Sequence, residues 1–286
     1  MRGHIAELWR FPVKSMQGEP LHTSTVQDTG LIGDRALALR DVKTGKIASA
    51  KSPRMWPNLL EFHAAFVEPP QPDQPLPPVR VTLPDGDDVR SDDPDVEWVL
   101  SQATGRAVEL VSSSPSGATF EHYLPDIDNA DPRGADTYTE SPNDIFGTGS
   151  LHDAAPIHLI TTATLDHLSE LYPQGQIDVR RFRPNIVVAT EQTPAGFVEN
   201  DWIKHELMLG DVRVRLTAPM ARCVMTTLPQ PQLPEDVDIL RTVTEHNRPQ
   251  VLSMGRLPSV GAGGLVTQTG IARLSDPVTL LQTDPP

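Results

Sequence analysis

Apolar residues recur along the chain in short runs separated by turn formers, at a spacing of roughly 8–12 residues that predicts the strands of a barrel or sandwich. Residues 3–13 carry Ile5, Leu8, Trp9, Phe11 and Val13 and read as the first strand. His22–Gln27 is a second β-prone run, and Thr29–Asp34 is a Gly-punctuated turn. Arg35–Asp41 alternates and is closed by the hairpin signal Lys43-Thr44-Gly45-Lys46. Leu59–Val67 and Val79–Leu83 are further strands, the latter ending in the turn Pro84–Asp87. Asp93-Pro94 opens a short helix that presents Val96, Val99 and Leu100 and stops at Gly105. In the second half, Ala155–Ile160 is a strand that runs into Thr161-Thr162. A helix follows over residues 163–172, with Leu165, Leu168 and Leu171 on one face and Thr162 as its N-cap. Ile186–Ala189 reads as a buried strand. In Asp211–Thr217, Val212, Val214 and Leu216 face one way and Arg213, Arg215 and Thr217 the other. A last helix spans about 235–246, and the tail from Val260 carries Gly-rich turns before the strand Val278–Leu281. The fold class is mainly β with short helices.

Two stretches fit neither period. Pro69–Pro78 holds six prolines in ten residues and reads as an exposed polyproline-like loop, either a spacer or a ligand for a proline-binding domain. Ser112–Ser150 is polar and rich in Asp, Pro, Gly and Ser, and reads as a surface loop joining two halves. It either closes over a site or simply connects. These breaks divide the 286 residues into an amino-terminal unit (1–111), a connecting loop (112–150) and a carboxyl-terminal unit (151–286).

Charge narrows the partners. The formal net charge of −14 argues against nucleic acid or an anionic membrane as the main partner, so a cluster of arginines stands out as local. The first residues lack an apolar signal core, and no apolar run reaches the ~20 residues of a membrane span. The expected location is cytoplasmic.

The chemistry concentrates on the sole cysteine, Cys223, in the segment Thr217–Thr227. It follows Arg222 and a strand that exits through Pro219, so it should sit on a loop at a strand end. A neighbouring guanidinium favours a thiolate, the nucleophile and soft metal ligand of proteins. The alternative is a small buried hydrophobe. One cysteine excludes an internal disulfide and a cluster of several thiolates. Arg180, Arg181 and Arg183 fall within four residues, which calls for an anion or for acidic side chains. Thr161-Thr162 at a helix N-terminus is a cap and also an anion site. His152 and Asp153 are candidates for proton delivery or for plain turn and cap roles.

Five segments together resemble one family. They are Phe11–Ser15, Gly30–Arg35, Pro156–Thr162, Arg181–Ile186 and Ala221–Thr227, and Asp276-Pro277 also fits. The carboxyl half resembles a MOSC β-barrel domain. The amino half resembles the β-barrel domain that precedes MOSC in mitochondrial amidoxime-reducing components and their bacterial relatives. The resemblance implies a molybdenum cofactor, a pterin dithiolene with a phosphate tail, its metal held by Cys223. It places Lys14, Ser15, Arg35, Thr161, Thr162, Arg181, Arg183, Asn185, Ala221 and Arg222 as cofactor contacts, with Arg222, Thr226 and Asn185 around the metal. Met254 stands where some members carry a tyrosine, and the stretch Val260–Gly270 is longer and less regular than the family's. No cysteines remain for a ferredoxin domain, so electrons would come from a separate donor protein of ferredoxin or flavin-reductase type.

The resemblance implies an oxidoreductase that removes oxygen from small N-hydroxylated substrates. The alternatives are a carrier of the cofactor or a sulfur-transfer protein with a persulfide on Cys223, and a non-catalytic β scaffold. Pyridoxal phosphate, also associated with the family at large, finds no lysine here in a Schiff-base setting.

Overall fold

A computed structural model describes residues 2–112, 119–123, 137–140, 151–191 and 195–281. The first half contributes β1 (Arg2–Arg10), β2 (Glu19–Leu21), β3 (Thr23–Gln27), β4 (Gly30–Leu31) and β5 (Ala38–Asp41). After these come β6 (His63–Phe66), β7 (Val79–Thr82), β8 (Asp88–Arg90), α1 (Val96–Thr104) and β9 (Val108–Val111). A hairpin, β10 (Phe120–Tyr123) with β11 (Thr137–Glu140), interrupts the stretch expected to be a plain loop. The rest of Ser112–Ser150 lies outside the described residues. The second half holds β12 (Ile157–Thr161), α2 (Thr162–Leu171), α3 (Val179–Phe182), β13 (Ile186–Thr190), β14 (Glu206–Leu209) and β15 (Val212–Ala221). It ends with α4 (Asp238–His246), β16 (Ser259–Gln268), β17 (Gly270–Arg273) and β18 (Pro277–Leu281).

Seven strands close a barrel in the order β1-β13-β12-β16-β15-β14-β18, with β18 returning to β1. Its interior is the inward half of each alternating strand: Ile5 and Leu8, Leu159, Ile186 and Val188, Leu207 and Leu209, Val212, Val214 and Leu216, and Val278. β12 is buried along its whole length because α2, α3 and α4 cover its outer face through Leu168, Phe182, Ile239 and Val243. A strand buried on both faces reads as a continuous apolar run, as Ile157–Ile160 nearly does. β12 and β13 pair in parallel, joined through α2.

The first half packs a separate core around Val13, Met16, Leu39, Trp56, Phe62, Val81 and Leu100, under small antiparallel sheets. The two halves interlock. β1 is the first strand of the chain and yet closes the carboxyl-terminal barrel, while β17 from the tail pairs with β3. Val224 and Leu228 from the second half are buried in the first-half core, and Gln17 Nε2 donates to Gln230 Oε1 at 2.9 Å. A cut of the chain by position therefore does not cut the sheets.

Several local expectations shift. The segment from Val260 is not a series of turns: Ser259–Gln268 is a ten-residue strand in the barrel wall. Its glycines are there for close approach. Gly261 has φ +77°, and a Cβ on it would lie 2.4 Å from the Leu159 carbonyl oxygen. β15 continues through Pro219 to Ala221, with register shifts on either side of the proline that spare it a ladder bond. Thr161, not Thr162, caps α2: its Oγ1 accepts from Thr164 N at 3.2 Å. α1 begins at Val96, and Asp93 instead accepts from Asp95 N at 2.9 Å. α4 begins at Asp238, three residues after the expected start. Gly105 ends α1 with φ 69° as expected. Pro69–Pro78 forms a largely exposed loop whose base is closed by Val67 N donating to the Pro78 carbonyl at 2.9 Å.

Candidate functional site

β15 delivers Cys223 two residues beyond its last paired position. Backbone and side chains then lock the turn. The Cys223 carbonyl accepts from Thr226 N at 3.2 Å and Thr226 Oγ1 at 3.1 Å, and the Val224 carbonyl from Thr227 N at 2.9 Å and Oγ1 at 2.8 Å. Val224 anchors the turn in the first-half core. Two arginines clasp it, Arg181 buried and Arg222 half-buried. Arg181, 1% exposed, donates to the carbonyls of Gln176 (3.0 Å), Thr226 (3.2 Å), Leu228 (3.4 Å) and Pro234 (2.8 Å). Arg222 donates from Nε to the Val260 carbonyl at 3.0 Å, from Nη1 to the Phe182 carbonyl at 2.9 Å, and from Nη2 to His158 Nε2 at 2.5 Å. Burial brings its guanidinium down to about 10, against the pull of Cys223 and Glu199. His158 therefore accepts at Nε2 and donates from Nδ1 to the Arg183 carbonyl at 3.3 Å. Burial and Arg222 hold it neutral, well below the usual imidazole range.

Cys223 opens on a cavity of about 640 Å³ at the junction of the two halves, a size typical of small-molecule sites. Lys14, Arg35, Lys51, Arg181, Arg183, Arg222 and Arg248 line it against one carboxylate among the described residues, Asp153. In a chain of net charge −14 this is a local basic hollow. Arg35 and Arg183 stack on the Phe11 ring, 4.5 and 4.2 Å from its centroid. Arg183 takes φ 54° at the end of α3 and donates to the Met16 carbonyl at 2.5 Å; burial, and then Arg35, lower it to about 9. Lys14 donates to the Leu151 carbonyl at 2.9 Å and to Asp153, which Lys51 meets at 3.2 Å. Burial lowers Lys14 despite Asp153. Burial would raise Asp153, but the two lysines outweigh it and hold the carboxyl far below its ordinary range.

Asp34 organises the floor. It accepts from Phe11 N (2.8 Å), Asn185 Nδ2 (2.9 Å) and Arg35, and meets His152 Nε2 at 3.0 Å. Burial works to raise it, but Arg35, His152 and the Phe11 N–H prevail, so it stays ionised. Asn185 Oδ1 accepts from His158 N at 3.1 Å, and Ser15 Oγ accepts from Ala50 N at 3.1 Å. Lys14, Ser15, Arg35, Arg181, Arg183, Asn185, Ala221, Arg222 and Cys223 are thus brought to one cavity.

Thr161 and Thr162 do not line it. Thr161 is fully buried, and its N–H donates to Glu199 Oε1 at 2.5 Å while the other oxygen of Glu199 meets Thr164 Oγ1. An internal carboxyl stands where an anion at this helix N-terminus would stand. The expected thiolate effect of Arg222 is also corrected. Burial pushes the Cys223 thiol up, and Lys51 and the Met225 N–H oppose it more than Arg222, whose guanidinium is turned to carbonyls. Arg180 pairs with Asp178 at 2.8 Å away from the cavity. Sequence reasoning missed Lys51, Asp34, His158 and Arg248. Lys51 carried a weak signal, standing before Ser52-Pro53-Arg54 in a basic turn.

Fold and site define a mainly β protein whose two interlocked halves enclose a basic cavity with one thiol at its wall. The chain belongs to the MOSC family: residues 147–278 match the MOSC domain and residues 2–111 the MOSC N-terminal beta barrel domain. Along 96% of its length it is 25% identical to mitochondrial amidoxime reducing component 2 of Rattus norvegicus, covering 82% of that protein. It is 23% identical to mitochondrial amidoxime-reducing component 1 of Mus musculus, over 98% of this chain and 82% of that one. Among solved structures, the YuaD protein of Bacillus subtilis aligns over 97% of this chain and 94% of its own, with a TM-score of 0.44 and 8% identity. No helix among the described residues is long and apolar enough to cross a membrane.

The residues fit the cofactor that the family implies. Among the described residues no three His, Cys, Asp or Glu side chains group to hold a metal ion. A metal here would bring most of its ligands with it, and Cys223 offers one soft donor. The cations around it suit an anionic organic group.

Proposed function

We propose that this chain binds a molybdenum cofactor and reduces small N-hydroxylated compounds, taking electrons from a separate donor protein. The observation that carries the proposal is the convergence of the sole cysteine and the basic residues of both halves on one cavity. When bound, the cofactor supplies a redox metal that accepts the substrate's oxygen and two electrons from the donor. The net change is R–NHOH plus two electrons and two protons to R–NH2 plus water.

The protein's part is holding and orienting. Cys223 would hold the metal as a thiolate, its direction fixed by the clasp of Arg181 and Arg222. Because burial raises this thiol, binding must release its proton, so cofactor loading strengthens as pH rises. Lys14, Arg35 and Arg183 would hold the anionic parts of the cofactor, with Ser15, Asn185 and the Ala221 backbone completing the cradle. Lys51, paired with Asp153, holds a proton at Nζ at the cavity wall. His152 stays with Asp34 as part of the floor.

The test is turnover of an amidoxime by cofactor-loaded protein with a chemical or protein electron donor. Wild type should form the amidine, and Cys223→Ser should lose turnover by at least about a hundredfold, while the two proteins share one thermal midpoint when both are cofactor-free. A fully active Cys223→Ser variant would refute the assignment.

A further inference from the structure

The cavity is bordered by apolar side chains as well as by cations. Leu252 and Met254 line it and are 46% and 47% exposed. Of the large apolar side chains exposed among the described residues, only these two border the cavity. Their loop is tied down: Val251 N donates to the Gly255 carbonyl at 2.8 Å, Met254 N to the Val251 carbonyl at 2.9 Å, and Gln250 Nε2 to the Leu252 carbonyl at 2.8 Å. Leu252 is held at φ 46°, a left-handed conformation that a leucine adopts only at a cost. The chain thus spends backbone strain to hold two apolar side chains half in water, and nothing in the described structure covers them. Val251, buried beneath, and Leu257 continue the same apolar lip.

Resting on the reductase reading above, we propose that Leu252 and Met254 form a specificity-determining lip. It selects N-hydroxylated substrates whose N–OH group is attached to an aryl ring over those with a methyl or polar substituent. The basic residues, Cys223 and the apolar lip border one cavity, so an aryl amidoxime can direct its polar end to the cations and lay its ring on the lip. Covering exposed apolar surface is favourable in proportion to area, and the thioether of Met254 adapts to a flat ring. Two side chains are too small a patch for a protein partner, which needs about 800 Å² on each side.

The test uses benzamidoxime and acetamidoxime, which share the amidoxime group and differ in the substituent. Leu252→Asn keeps a residue that tolerates the left-handed backbone, and with Met254→Ser it removes the apolar lip. Binding of both compounds to cofactor-loaded protein is measured by calorimetry without an electron donor, then turnover with one. Wild type should favour benzamidoxime by roughly tenfold or more, the scale of an apolar contact, and the double variant should lose that preference by weakening benzamidoxime alone. No preference in wild type, an unchanged preference in the variant, or equal weakening of both compounds would overturn the proposal. A preference that behaves as expected with no turnover by any donor upholds the lip and refutes the reductase reading instead.

Discussion

Strands β12 and β15 both leave the barrel into a segment carrying adjacent threonines, the first turn of α2 at Thr161-Thr162 in one and the loop at Thr226-Thr227 in the other. The first turn is filled from within: Glu199 reaches the N–H of Thr161 and the hydroxyl of Thr164. The second is held from behind, by Arg181 and Arg222 on backbone carbonyls, and leaves Cys223 facing the cavity. A helix N-terminus attracts anions because its N–H groups lack partners. Once a buried carboxyl supplies the partner, the attraction is spent internally. Arginines likewise serve a ligand only with the donors that carbonyls have not taken, and Arg181 has given donors to four.

The contrast can be broken by substitution. Arg181→Ala strips buried donors from four carbonyls and should cost about 3–4 kcal/mol in urea unfolding. Arg181→Lys should recover less than half, because an ammonium cannot span the fork. A cost below about 1 kcal/mol would mean that the clasp does not hold the turn.

At the other turn, Glu199→Ala should cost about 2 kcal/mol, whereas Glu199→Gln preserves an acceptor for Thr161 N and should stay within about 1 kcal/mol of wild type. The pH dependence has a definite sign. Burial raises the Glu199 carboxyl above its ordinary 4.5, and the threonine hydrogen bonds only partly offset it. The stability it contributes is therefore full below 4.5 and is lost as pH rises through the raised folded value. Glu199→Gln should gain on wild type as pH rises from about 5 to 8. Wild type gaining on Glu199→Gln over that range would place the ionised carboxylate, not the acid, in the folded protein. The smallest effects belong to the cap: about 1 kcal/mol for Thr161→Ala and within about 0.5 kcal/mol for Thr162→Ala, neither changing cofactor retention.

The period-2 runs gave away most strands, because Val212, Val214 and Leu216 must all face one core. β16 was hidden for the same reason. Glycines at 261, 263 and 264 carry no apolar signal, and their role appears only where neighbouring strands approach. The place of β1 in the second barrel was hidden too, since pairing with β13 and β18 is set by distant residues and leaves no local mark. At the site, residue types were legible but their partners were not. Three close arginines called for an anion or for acidic side chains, and the structure sends Arg180 to Asp178, Arg181 to carbonyls and only Arg183 to the stack on Phe11. Lys51 was overlooked because it comes to the cavity from the first half, far in sequence from Cys223.

The most direct measurement is molybdenum content, with fluorescent detection of the pterin, on protein produced in a host that makes the cofactor. Wild type, Cys223→Ser and Glu199→Gln would be compared side by side. Near-stoichiometric molybdenum is expected in wild type and Glu199→Gln, with its loss in Cys223→Ser. Folded wild type without molybdenum or pterin, or a Cys223→Ser variant that retains both in full, would contradict it.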